Sequence, residues 1–99
     1  MRDTLRSPRQ IELRKLLLRR RVDHGVTQSE LARRLGKPQS FVAKYEGGER
    51  RLSVIEFIDI AEALQIHPSD LLDELHEILK FSERQEASIG GKTKTQEKR

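Results

Sequence analysis

The chain has 99 residues, 34% of them hydrophobic, no cysteine and a formal net charge of +4. That length suits one domain with a modest core, which fits a small helical bundle better than a large-cored enzyme. The absence of cysteine excludes a disulfide framework and a thiolate metal site. The charge is unevenly spread: residues 1–52 carry net +8, residues 53–81 net −6 and residues 82–99 net +2. A basic half of this kind orients a protein on a polyanion and steers its approach. Leu16-Leu17-Leu18 is too short an apolar run for a secretory signal or a membrane span, so the cytoplasm is the expected compartment.

In chain order, the first helix is expected from Pro8 to His24, with Ser7 as cap, Pro8 at the first helical position and Gln10 closing a capping box. Leu13, Leu17, Arg21 and His24 share one face of it, and Ile11, Leu18 and Val22 make a second stripe. The stretch from Thr27 to Glu46 then reads as two short helices around one glycine. Thr27 and Glu30 form a capping box, Leu31, Ala32 and Leu35 supply an apolar face, and Gly36 permits a left-handed helix end. The next helix is expected to begin with Pro38 at its first position, with Gln39, Ser40 and Lys44 outward and Val42 and Tyr45 inward. Such a pair, joined by a tight glycine turn, is a helix-turn-helix of the kind that enters the DNA major groove.

Residues 47–51 read as a loop. A fourth helix is capped by Ser53 and Glu56 and runs to about Leu64, with Val54, Phe57, Ile58, Ala61 and Leu64 on its buried face. Pro68 opens a fifth, whose apolar positions are Leu71, Leu72, Leu75, Ile78 and Leu79. From Ser82 apolar residues nearly stop, so residues 82–99 are expected to be a disordered polar tail after a domain of residues 1–81. No stretch alternates with the period of a strand, so the expected fold is all-α.

Arg21, Gly25, Thr27-Gln28, Glu30-Leu31-Ala32, Leu35-Gly36, Gln39-Ser40, Tyr45-Glu46, Gly48 and Ala61 to Leu64 together resemble the Cro/C1-type helix-turn-helix of the XRE family. The resemblance covers roughly residues 10–72. It implies a five-helix, lambda-repressor-like domain that binds double-stranded DNA as a homodimer and regulates transcription without a cofactor.

The resemblance places Gln39 against a base, and its amide can give and accept together, matching adenine N6 and N7. Ser40 and Lys44 follow it on the outer face. Phe41 reads either as a contact to a thymine methyl or as an inward core ring. For phosphate contact the resemblance implies Gln28, at the start of the first motif helix, with Lys37, Gly48, Arg50 and Arg51 beside it. It also implies that Arg21 and Glu46 form a bridge tying the first helix to the recognition helix. Pro38 departs from the family, which often has Ser or Thr there, and removes a side-chain cap.

Other constellations do not hold. Gly91-Lys92-Thr93 lacks the glycine a P-loop needs five residues earlier, where Glu86 stands. His24, His67 and His76 are scattered and imply no metal. The acids Asp59, Glu62, Asp70, Asp73, Glu74 and Glu77 make a rival reading available: an antitoxin-type module that docks a basic protein through helices 4 and 5.

Overall fold

The computed structural model describes residues 7–90, and among them every regular element is a helix. The order is α1 (Pro8–Asp23), α2 (Gln28–Leu35), α3 (Gln39–Glu46), α4 (Val54–Ala63) and α5 (Pro68–Gly90).

The starts of these helices follow from short polar side chains. Ser7 Oγ accepts from the Gln10 N–H at 3.1 Å and Thr27 Oγ1 from the Glu30 N–H at 3.0 Å. Among the described residues only Ser53 and Glu56 complete a reciprocal box, the Glu56 carboxylate accepting from the Ser53 N–H at 2.9 Å. At α2 the Glu30 carboxylate is instead held by Arg33 and Arg34. Charge-assisted bonds to guanidinium groups outcompete one to a neutral amide. The α2 helix ends at Gly36, whose φ of 67° lets the Lys37 N–H turn back to the Ala32 carbonyl at 3.0 Å.

Pro38 lies one position earlier than expected. It is the N-cap of α3, with extended backbone and no side-chain bond, so the helix proper opens at Gln39. Its ring has no oxygen to offer, and this is the only one of the first four helices whose cap makes no such bond.

The core gathers Leu16 and Leu17 of α1, Leu31 of α2, Val42 and Tyr45 of α3, Ile60 of α4 and Leu71 of α5, all of them sealed from solvent. Each such side chain stabilises the fold by about 1.5–3 kcal/mol relative to exposure. Two expectations for this core are corrected. Val54 is 74% exposed and Leu72 is 55% exposed, while Ile60 and Leu16 take buried places instead. Val54 is the first residue of α4, next to its cap. On α5, Leu71 rather than Leu72 turns inward.

The α5 helix continues past Phe81, where the polar tail was expected to begin, as far as Gly90. The rest of that tail, residues 91–99, lies outside the described residues.

Candidate nucleic-acid interface

The centre of the site is a bridge between α1 and the end of α3. Arg21 Nε donates to Glu46 Oε2 at 2.7 Å and Nη2 donates to Oε1 at 3.0 Å, while Nη1 reaches the Val26 carbonyl at 2.8 Å. The two-point geometry suits a planar guanidinium against a carboxylate. Hydrogen bonding to Glu46 raises the Arg21 pKa against the opposing effect of burial. Both side chains are almost enclosed, so removing either partner would leave the other's charge buried and uncompensated.

Glu46 passes this order on. Its Oε1 also accepts from Gln28 Nε2 at 2.8 Å, and Gln28 Oε1 accepts from Gln39 Nε2 at 2.9 Å. A carboxylate only accepts, so it fixes which end of the Gln28 amide faces it. That choice leaves the Gln28 oxygen toward Gln39 and therefore fixes the Gln39 amide as well. Gln39 is left with one N–H and its oxygen, the pair a side-chain amide needs for adenine N7 and N6.

Gln39, Ser40 and Lys44 are exposed on α3. Phe41 is not, and of its two readings, contact to a thymine methyl or inward core ring, its burial fits the inward one. The ring is 8% exposed and meets Tyr45 edge to face, with centroids 5.6 Å apart. Tyr45 itself is fully enclosed, and burial pushes its phenol above the ordinary range.

Two expected phosphate contacts turn out to share that ring. Lys37 Nζ lies 5.3 Å and Arg50 Cζ 4.7 Å from the Phe41 centroid, within range of cation–π attraction. Arg50 is further engaged by α4: Nη1 and Nη2 donate to the two Glu56 oxygens at 2.9 and 2.8 Å, and Nη1 also to the Arg51 carbonyl. Arg50 therefore joins the loop to α4, beyond the role the sequence assigned it. Arg51 is exposed.

Gly48 has a φ of 81°, in the left-handed region that favours glycine. It also lies against the guanidinium of Arg14, a residue the sequence reading did not single out. The available signal was its spacing, two helical turns before Arg21 and thus on the same side of α1.

Among the acids of α4 and α5, Glu74 bridges to Arg20 at 3.5 Å and Glu77 to Lys80 at 3.7 Å, so part of that cluster is used within the chain. Among the described residues, no cluster of potential metal ligands occurs and no helix is long and apolar enough to cross a membrane.

Two helices set around a left-handed glycine, the second exposing Gln39, Ser40 and Lys44, define a helix-turn-helix protein. Residues 17–71 match the helix-turn-helix family. An XRE-family like protein from Pseudomonas syringae pv. tomato is 50% identical, with a TM-score of 0.67 over 71% of this chain and 85% of its own. The restriction-modification controller protein C.AhdI from Aeromonas hydrophila is 31% identical, with a TM-score of 0.58 over 63% of this chain and 94% of its own. The clp gene regulator ClgR from Corynebacterium glutamicum shares the fold at 24% identity, with a TM-score of 0.70 over 84% of this chain and 88% of its own. A search among curated proteins finds none that matches. The chain belongs to the XRE family of helix-turn-helix proteins, which are DNA-binding transcriptional regulators and not enzymes.

Proposed function

We propose that this regulator is sequence-specific and binds a two-fold operator as a homodimer, with α3 in the major groove and Gln39 reading an adenine in each half-site. The observation that carries the reading is the relay Arg21–Glu46–Gln28–Gln39, which orients the amide of an exposed first-turn residue before any ligand arrives. A reader whose polarity is fixed in advance loses less freedom on binding. Ser40 and Lys44 extend the contact along α3. Gln28, Lys37, Arg51 and the backbone at Gly48 face phosphates, and Arg50 supports them from its place between Phe41 and Glu56.

The dimer is supported by an apolar surface on one side of α5, where exposed Leu72 and exposed Val54 of α4 border a groove that Leu13, Phe57 and Leu75 also line. A two-fold pair would set its recognition helices about 34 Å apart, one turn of DNA. Regulation then follows from occupancy near a promoter.

Enrichment of DNA from random sequence by the purified chain tests the reading. A palindrome with an adenine at equivalent positions of its two halves is expected. Enrichment of no sequence, or of a single unpaired half-site, would overturn it.

A further inference from the structure

We propose that Arg14 of α1 is a positioning residue for the loop at residues 47–51, seating the backbone that the DNA complex turns toward phosphate. Its effect on binding rests on the DNA-binding reading above; its effect on the loop does not. A Cβ built on Gly48 would come within 2.9 Å of Arg14 Cζ and Nη2 and 3.2 Å of Nε. Three atoms of one planar group at nearly equal range mean that the guanidinium lies flat against the glycine. Arg14 and Arg21 share one side of α1, so the same helix grips the end of α3 through Glu46 and the following loop through Gly48.

The loop between those grips is short and returns on itself, with the Glu49 N–H bonded to the Lys44 carbonyl at 2.8 Å. Gly48 carries the greatest backbone freedom of any residue type, which would otherwise be lost on binding. Arg14 restricts it in the free protein. A planar, weakly hydrated guanidinium can pack face-on against backbone, whereas a lysine ammonium carries the same charge without a face.

Arg14→Lys and Arg14→Ala separate shape from charge. In the free protein, amide exchange at Gly48 and Glu49, whose N–H groups bond the Tyr45 and Lys44 carbonyls, should be faster in both variants than in the parent. Parent-like protection in Arg14→Lys, or in both, would overturn the proposal. Gly48→Ala should lower the unfolding midpoint less in an Arg14→Ala background than in the parent, since only the parent has the contact to lose. Equal losses would contradict it. On DNA, both Arg14 variants should bind about threefold to tenfold more weakly. The dependence on salt should be unchanged, because no phosphate contact is lost. A salt slope lowered by about one in Arg14→Ala and restored by lysine would instead make Arg14 a phosphate ligand. A parent that binds no DNA would sink the functional reading alone, since exchange and coupling still decide the role of Arg14.

Discussion

Gln28 donates to Glu46 at 2.8 Å and in doing so decides which end of Gln39 faces outward. Together the two contacts set which atoms of the Gln39 amide are left open on the exposed side of α3. Gln28→Met keeps the length of the side chain and removes the relay. Discrimination for adenine at the Gln39 position should fall by about 0.5–1.5 kcal/mol, the worth of an ordinary hydrogen bond. Titrations of the enriched site and its base-swapped counterpart measure this. Undiminished discrimination would show that Gln39 needs no such support.

The bridge beneath the relay should be costly to break from one side. Arg21→Met strands Glu46, whose side chain is 5% exposed, and should destabilise the fold by about 3–5 kcal/mol. Pairing it with Glu46→Gln in a double-mutant cycle isolates the coupling. Denaturant unfolding of the four proteins gives the number, and additive effects would remove the bridge from the account.

Acid should weaken the fold in a defined window. Hydrogen bonds from Arg50, then from the Ser53 backbone, hold the Glu56 carboxyl down from 4.5 to about 2. Bonds from Arg33 and Arg34 do the same for Glu30, also to about 2. A depressed carboxyl binds fewer protons folded than unfolded, so its contribution is whole above pH 4.5 and is lost as pH falls toward about 2. Both carboxylates are only partly buried, so solvent screens them and the effect is modest and sensitive to salt. Thermal unfolding across that window should show a smaller decline in Glu56→Gln than in the parent. Parallel declines would mean that the Arg50–Glu56 pair carries no linkage.

Much of this architecture was legible because it rests on local chemistry. Ser7, Thr27, Ser53 and Gly36 mark helix ends through bonds that span three or four residues. What escaped depends on neighbours distant in sequence. Phe41 reads equally well as an outward or an inward residue until Tyr45 and Arg50 are placed around it. Arg50 looks like a free cation until the start of α4 brings Glu56 beside it. At Thr27 only the hydroxyl half of the box forms, because Arg33 and Arg34 hold the Glu30 carboxylate that would complete it. The extension of α5 to Gly90 was missed because apolar spacing fades after Phe81, whereas Glu, Arg, Gln and Ala are themselves good helix formers.

Assembly has its own test. Leu72 is 55% exposed and borders an apolar groove of about 450 Å³ that Leu13, Phe57 and Leu75 also line. Leu72→Glu should leave the monomer folded and place a charge in the proposed contact. Sedimentation at tens of micromolar in about 0.15 M salt should find a dimeric parent and a monomeric variant with unchanged helicity. A dimeric variant would move the contact off this part of α5.

The central claim is that Gln39 reads a base. Its most direct measurement is the affinity of Gln39→Ala for the enriched operator and for the same site with the adenine pair replaced, each across a range of salt. The account predicts a loss of discrimination of about 1–3 kcal/mol at that one pair, with the salt slope unchanged. A variant that binds the operator as tightly and as selectively as the parent would contradict it.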